Sequence, residues 1–217
     1  MEVYSVLRWI FSVGSIILIL IIAKKFKKKA LAIICGFAIL IGVVAWDLHF
    51  PVENYFIHFK TAQQAFSYYN NGEILNVIDG KKSALVIYKG TDAIGTSILH
   101  KKDIGWQINP LFSFDTVYNK KIIYKDVDCD IIIFQAKNTK DFYVNINFWF
   151  VGEKPIVSDN LKSSFWCVEE PDLLTAKNSY SFYGYVEDIN NQYQIQVNGE
   201  TVDIKIGDID FSNAITD

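Results

Sequence analysis

Histidine, cysteine, proline and arginine are all scarce here. The chain has three histidines, three cysteines, four prolines and one arginine, Arg8, in 217 residues. With so few histidines there is little material for a nucleophile–base pair. His49 and His58 fall in one short stretch, and His100 precedes Lys101-Lys102 at a strand end. Ser163 and Ser164 lie in no Gly-x-Ser-x-Gly turn. Cys129 and Cys167 stand alone and no His-Glu-x-x-His occurs, which excludes the common zinc patterns. Three cysteines are too few for a disulfide-built scaffold, and no glycine-rich loop suited to phosphate is present. A net charge of −3 argues against a general nucleic-acid binder. No catalytic residue and no cofactor is expected on these grounds.

What is abundant is apolar. The hydrophobic fraction is 51% and the aromatic fraction 15%, which excludes a disordered chain. Two apolar runs lie within the first 46 residues. Val3–Ala23 carries only Arg8, and at about 1.5 Å per residue it reaches about 31 Å, the thickness of a hydrocarbon core. Ala30–Trp46 is shorter and uncharged. Tyr4, Trp9 and Trp46 sit near the ends, where amphipathic rings favour the interface. Between the runs stand Lys24, Lys25, Lys27, Lys28 and Lys29. Such a loop stays on the cytoplasmic side, so everything after Trp46 is expected outside. A signal peptide would carry its positive charge before its apolar core, and here the lysines follow it. Cleavage after Val43-Val44-Ala45 is a lesser alternative. The expected location is the cell membrane with two spans.

Charge divides along the same line. Six basic residues and one acid precede residue 47, leaving fifteen basic and twenty-three acidic residues and a net charge of −8 beyond it. That part is compatible with cations or basic partners and disfavours phosphate backbones and anionic lipid headgroups.

Residues 47–60 read as an aromatic connector and 61–217 as an extracytoplasmic β-rich domain. Thr61-Ala62-Gln63-Gln64 has the form of a capping box, and Asn70-Asn71-Gly72 stops a helix over 61–71. Strand patterns follow at Glu73–Asp79, Ser83–Tyr88, Ala93–His100, from Gly105, Leu111–Tyr118, Lys121–Tyr124, Cys129–Ala136 and Phe142–Phe150. Asp79-Gly80 and Asn198-Gly199 are hairpin signals. The end of the chain reads as a meander of Ser181–Ile189, Gln192–Val197 and Glu200–Ile206, with Tyr193, Ile195 and Val197 on its buried face. Between 151 and 179 the periodicity fails, which marks a long excursion or a sub-boundary. The expected fold class is two N-terminal transmembrane helices followed by a mainly-β, α+β domain with one short helix, its antiparallel sheet open or folded into a sandwich around one core.

Asp126, Asp128 and Asp130 alternate on one strand face and are a weak calcium candidate, lacking the glycine and distal glutamate of a calcium loop. Their ordinary reading is a solvated face with Cys129 and Ile131 inward. Trp106, Trp149, Trp166 and Tyr183 are the binding candidates, as an aromatic shelf for a sugar or a protein, although aromatics also fill β cores. Cys129 and Cys167 could form a bridge if both point inward.

The expectation is therefore a non-enzymatic, membrane-anchored binding module. Its partners would be membrane lipid and a protein or cell-envelope component, with no nucleic acid. A carboxylate-dependent outer-face hydrolase or cell-wall-modifying enzyme is one alternative. An accessory subunit docking through Ser12, Gly14, Ser15, Gly36, Ala38 and Gly42 is the other.

Overall fold

The computed structural model describes residues 13–21, 24, 33–42, 51, 53–91, 93–108, 113–124, 127–171, 177–189 and 192–209. Residues 13–21 and 33–42 are helical. They pack together at Gly36, where any added Cβ would collide with the Ile19 side chain. Among the described residues no helix is long and apolar enough to cross a membrane. The rest of the runs Val3–Ala23 and Ala30–Trp46, and the lysines at 25 and 27–29, lie outside the described residues.

The chain divides into two compact units in place of one core. The first comprises Met1–Val77 and Val86–Phe112, the second Ile78–Leu85 and Ser113–Asp217.

In the first unit, α1 (Glu53–Phe56) and α2 (Ala62–Tyr69) precede the strands. The Thr61 hydroxyl accepts from the Gln64 amide at 3.1 Å, and the Gln64 side chain returns the bond to the Lys60 amide at 3.0 Å. The capping box is therefore formed, displaced by one residue at its return bond. Ala62, Ala65 and Phe66 bury one face of α2, which packs on β3 (Ile94–Lys102) and β4 (Gly105–Gln107). With β1 (Glu73–Asp79) and β2 (Ser83–Lys89) these strands form a four-stranded sheet in chain order, and the β1–β2 turn clusters with the second unit. Phe59 adds a bridge to Trp106, extending the sheet by one position.

The second unit holds two sheets. Five strands run in the order β5-β6-β7-β10-β9, all antiparallel: β5 (Phe114–Tyr124), β6 (Val127–Ala136), β7 (Asp141–Val151), β9 (Phe165–Pro171) and β10 (Asn178–Glu187). The second sheet, β12-β11-β8, consists of β8 (Val157–Asp159), β11 (Gln194–Val197) and β12 (Glu200–Asp203). Alternate residues of both, including Ile131, Val144, Ile146, Phe182, Ile195 and Val197, share one hydrophobic core. Tyr193, Ile195 and Val197 are buried as the alternation required.

Three departures have plain causes. The described part of the expected Leu111–Tyr118 strand, from Phe114, and Lys121–Tyr124 belong to one strand, because Asn119-Lys120 pairs with Ile132-Ile131 in the ladder, and the irregularity is a bulge between Thr116 and Tyr118. The stretch 151–179 lies inside the second unit and supplies β8 and β9, too short or too acidic to show period two. Phe150 does not rejoin Phe148 in the core: its φ is +56° and it is 53% exposed, while Phe148 is 1% exposed.

Candidate functional site

One face of the five-stranded sheet is turned from the core, because Cys129, Ile131 and Ile133 take the inner positions of β6. Pairing places Asn119, Ile132, Asn145, Tyr183 and Trp166 in one row across five strands. The next row holds Lys121, Asp130, Asn147, Ser181 and Val168. The Trp166 and Tyr183 rings lie 6.2 Å apart at 36°. Tyr183 is only 3% exposed, so its ring supports Trp166 and offers no stacking surface of its own. Trp149, at the end of β7, is 38% exposed. Trp106 is buried in the first unit, where Lys101 lies over its ring at 5.9 Å. The four aromatics do not make an open shelf. Two of them, Trp106 and Tyr183, are buried.

The acidic positions divide as well. Asp128 is exposed and paired with Lys121 at 2.9 Å. Asp130 is half-buried, and burial raises its carboxyl above the usual range, Lys121 offsetting part of the effect. The Oδ1 atoms of Asp130 and Asn145 are buried without a hydrogen-bond partner among the described residues. Asp126 lies outside the described residues, among which no three metal-competent side chains gather. A cation at Asp128 would first have to displace the Lys121 ammonium.

Cys129 and Cys167 are both free thiols, so the possible bridge is not formed. They occupy β6 and β9, and β7 and β10 run between them. Three strand spacings separate them by about 14 Å, twice the reach of a disulfide. Both do face the core, Cys129 as the alternation required and Cys167 in a stretch where no alternation could be read.

Two buried carboxylates had no sequence signature. Asp141, 2% exposed, accepts from the Lys81 and Lys82 amides at 3.2 and 2.7 Å, the Ser83 hydroxyl at 2.7 Å and the Tyr185 hydroxyl at 3.0 Å. Asp159, 6% exposed, accepts from the Leu161 and Ser163 amides and from the Tyr193 hydroxyl at 3.0 Å. Every donor is local to a turn or reaches it from the neighbouring strand, so these anions organise loops. Asn160 does related work, its side-chain amide bonding the backbone of Gln192 and Gln194.

Beside Asn160 an open cleft of about 510 Å³ is lined by Gln192, Gln194, Asp203 and Lys205. Gln194 donates to Asp203 at 2.7 Å. Two charges of opposite sign and three amides suit a polar ligand, and the cleft lacks the apolar walls of a small-molecule pocket. The signal for it was the alternation of Gln192, Gln194 and Gln196, which marks a wet face without saying what the face does.

No family model matches the chain, and neither a curated protein nor a solved structure shows significant similarity to it. The described residues form a mainly-β, antiparallel fold with few helices.

Proposed function

We propose that this chain is a membrane-anchored binding module. The runs Val3–Ala23 and Ala30–Trp46 form a helical hairpin whose lysine loop stays in the cytoplasm, and both β-rich units lie outside. The observation that carries this reading is the surface of the helical stretches. Ile17, Leu18, Ile21, Ile34, Ile39 and Ile41 are each more than half exposed, while Gly36 lets the stretches close on Ile19. Two packed helices with apolar outer surfaces are unfavourable in water and ordinary in lipid, where small residues bring helices together.

The second unit is the partner-facing part. It holds eleven lysines against eighteen acids, a net charge of −7, so it repels phosphate-rich surfaces and suits a neutral or basic protein or cell-envelope partner. Trp149 with Phe150 offers it an exposed aromatic pair. The role is binding without chemistry.

Reporter-enzyme fusions after Phe59 test the topology: activity confined to the outer compartment is expected, and cytoplasmic activity overturns the scheme. Affinity purification of the intact detergent-solubilised protein, beside Trp149→Ser, tests the surface. A component held by the parent and released by the variant supports the reading.

A second reading, an accessory subunit of a larger membrane complex, is favoured by Gly14 and Gly42. An added Cβ at either would meet nothing within 4 Å, leaving both faces open to another helix.

A further inference from the structure

The connector of the first unit is held rigidly and displays two aromatic rings. The Asn54 side chain donates to the Ile108 carbonyl at 2.8 Å and accepts from the Ile108 amide at 2.9 Å, pairing α1 to the chain after β4. Five residues on, the Phe59 carbonyl accepts from the Trp106 amide at 2.9 Å. Gly105, at φ +127°, has no room for a Cβ, which would stand 2.7 Å from the Phe59 carbonyl oxygen. Residues 54–59 are therefore strapped to the sheet at both ends and are no free tether. Between the straps, Tyr55 is 64% and Phe56 79% exposed, the latter the highest value among the large apolar side chains described.

Charge near the strap differs from the rest of the outer region. Beyond the N-terminal helical stretches, the first unit's 51–77 and 86–108 carry four lysines and four acids, against a net −7 for the second unit. Glu53 is buried, whereas Lys60, Lys101 and Lys102 are exposed. Lys101 pairs with Trp106, and Trp106 with Phe59, so the Lys101 backbone stands two strand spacings, about 10 Å, from the strap, and its ammonium lies over the Trp106 ring. Exposed aromatic rings with a lysine four residues on, nine residues after an apolar run, match the composition of a lipid headgroup zone. Rings sit there at the carbonyl level, and ammonium groups reach the phosphates.

We propose that Tyr55 and Phe56 insert into the headgroup region of the outer leaflet, with Lys60, Lys101 and Lys102 meeting phospholipid phosphates, so that the first unit lies on the bilayer. This rests on the anchor reading above and adds to it that the strap is itself a lipid-contact surface. The photoreactive residue p-benzoylphenylalanine is installed in the full chain at position 56, and separately at 39. Each protein is reconstituted in phosphatidylcholine–phosphatidylglycerol nanodiscs and irradiated. A mass increase of one phospholipid is expected at both positions. Lipid adducts at 39 with none at 56 overturn the proposal and leave the anchor standing. Absence at 39 as well removes the anchor reading, and the proposal with it.

Discussion

The Ser83 hydroxyl donates to the Asp141 carboxylate at 2.7 Å across 58 positions of sequence, and its oxygen also lies 2.9 Å from the Tyr143 hydroxyl. Around this contact the Asp79-Gly80-Lys81-Lys82 turn is closed by a buried anion. Asp141→Ala removes the acceptor of four hydrogen bonds and leaves buried donors unpaired, at a cost of about 3 kcal/mol. Hydrogen exchange at the amides of 81 and 82 should then rise steeply, while Asp141→Asn, which keeps one acceptor oxygen, raises it less. Unchanged exchange in both variants would show that the turn holds itself.

Two backbone positions make opposite predictions. Asn198 and Gly199 have φ of +47° and +86°, as a type I′ turn demands, and a Cβ on Gly199 would meet only open space. Gly199→Val should therefore destabilise by about 1–2 kcal/mol through backbone strain alone. Phe150 sits in the same left-handed region with an exposed ring. Phe150→Gly should be neutral, or stabilise by up to about 1 kcal/mol. Thermal unfolding of the detergent-solubilised chain compares them, and a melting loss in Phe150→Gly equal to that in Gly199→Val would contradict the assignment.

The thiols report on the strand order. Burial pushes Cys129 up to about 12, with Asp130 adding to it, and Cys167 is raised by burial as well. Cys129 should resist Ellman's reagent at pH 8 in the native chain and react once denatured, since only a thiolate attacks. Electrophoretic mobility should be the same with and without reductant. A faster non-reduced band that Cys167→Ala abolishes would contradict strands 6 and 9 being three spacings apart.

Alkaline pH should weaken the second unit in a defined window. Tyr185 is raised from 10.0 to about 12, first by burial and then by its hydrogen bond to Asp141. Tyr118 is raised to about 12 by burial and by Asp208. The neutral phenols are the forms the fold favours. Their contribution is complete below pH 10 and is lost as pH rises through about 12. Stability measured from pH 9 to 12 should fall over the upper two units. Tyr185→Phe should be less stable below pH 10 for want of a hydrogen bond, with a shallower fall above it. An identical slope would contradict the pairing with Asp141.

Local chemistry was legible in the sequence because its determinants are neighbours in the chain. Thr61 and Gln64 cap α2 from three residues apart, Asn198-Gly199 is a turn by virtue of two permitted φ values, and alternation along Gln192–Val197 assigned each side chain its face. The hydropathy of the first 46 residues belongs to the same class, a property of composition along a line. Tertiary structure alone decided the rest. Cys129 faces inward as period two required, and Cys167 does so in a stretch without readable period; which strands lie between them depends on pairing order, and pairing is a relation between distant segments. Tyr183 and Trp106 look like any exposed aromatic until a neighbour covers them. Asp141 is one aspartate among many, and becomes a buried latch only because β7 meets the turn at 78–85. Burial and hydrogen-bond partnership are set by what arrives from elsewhere in the chain, and no window of sequence contains that information.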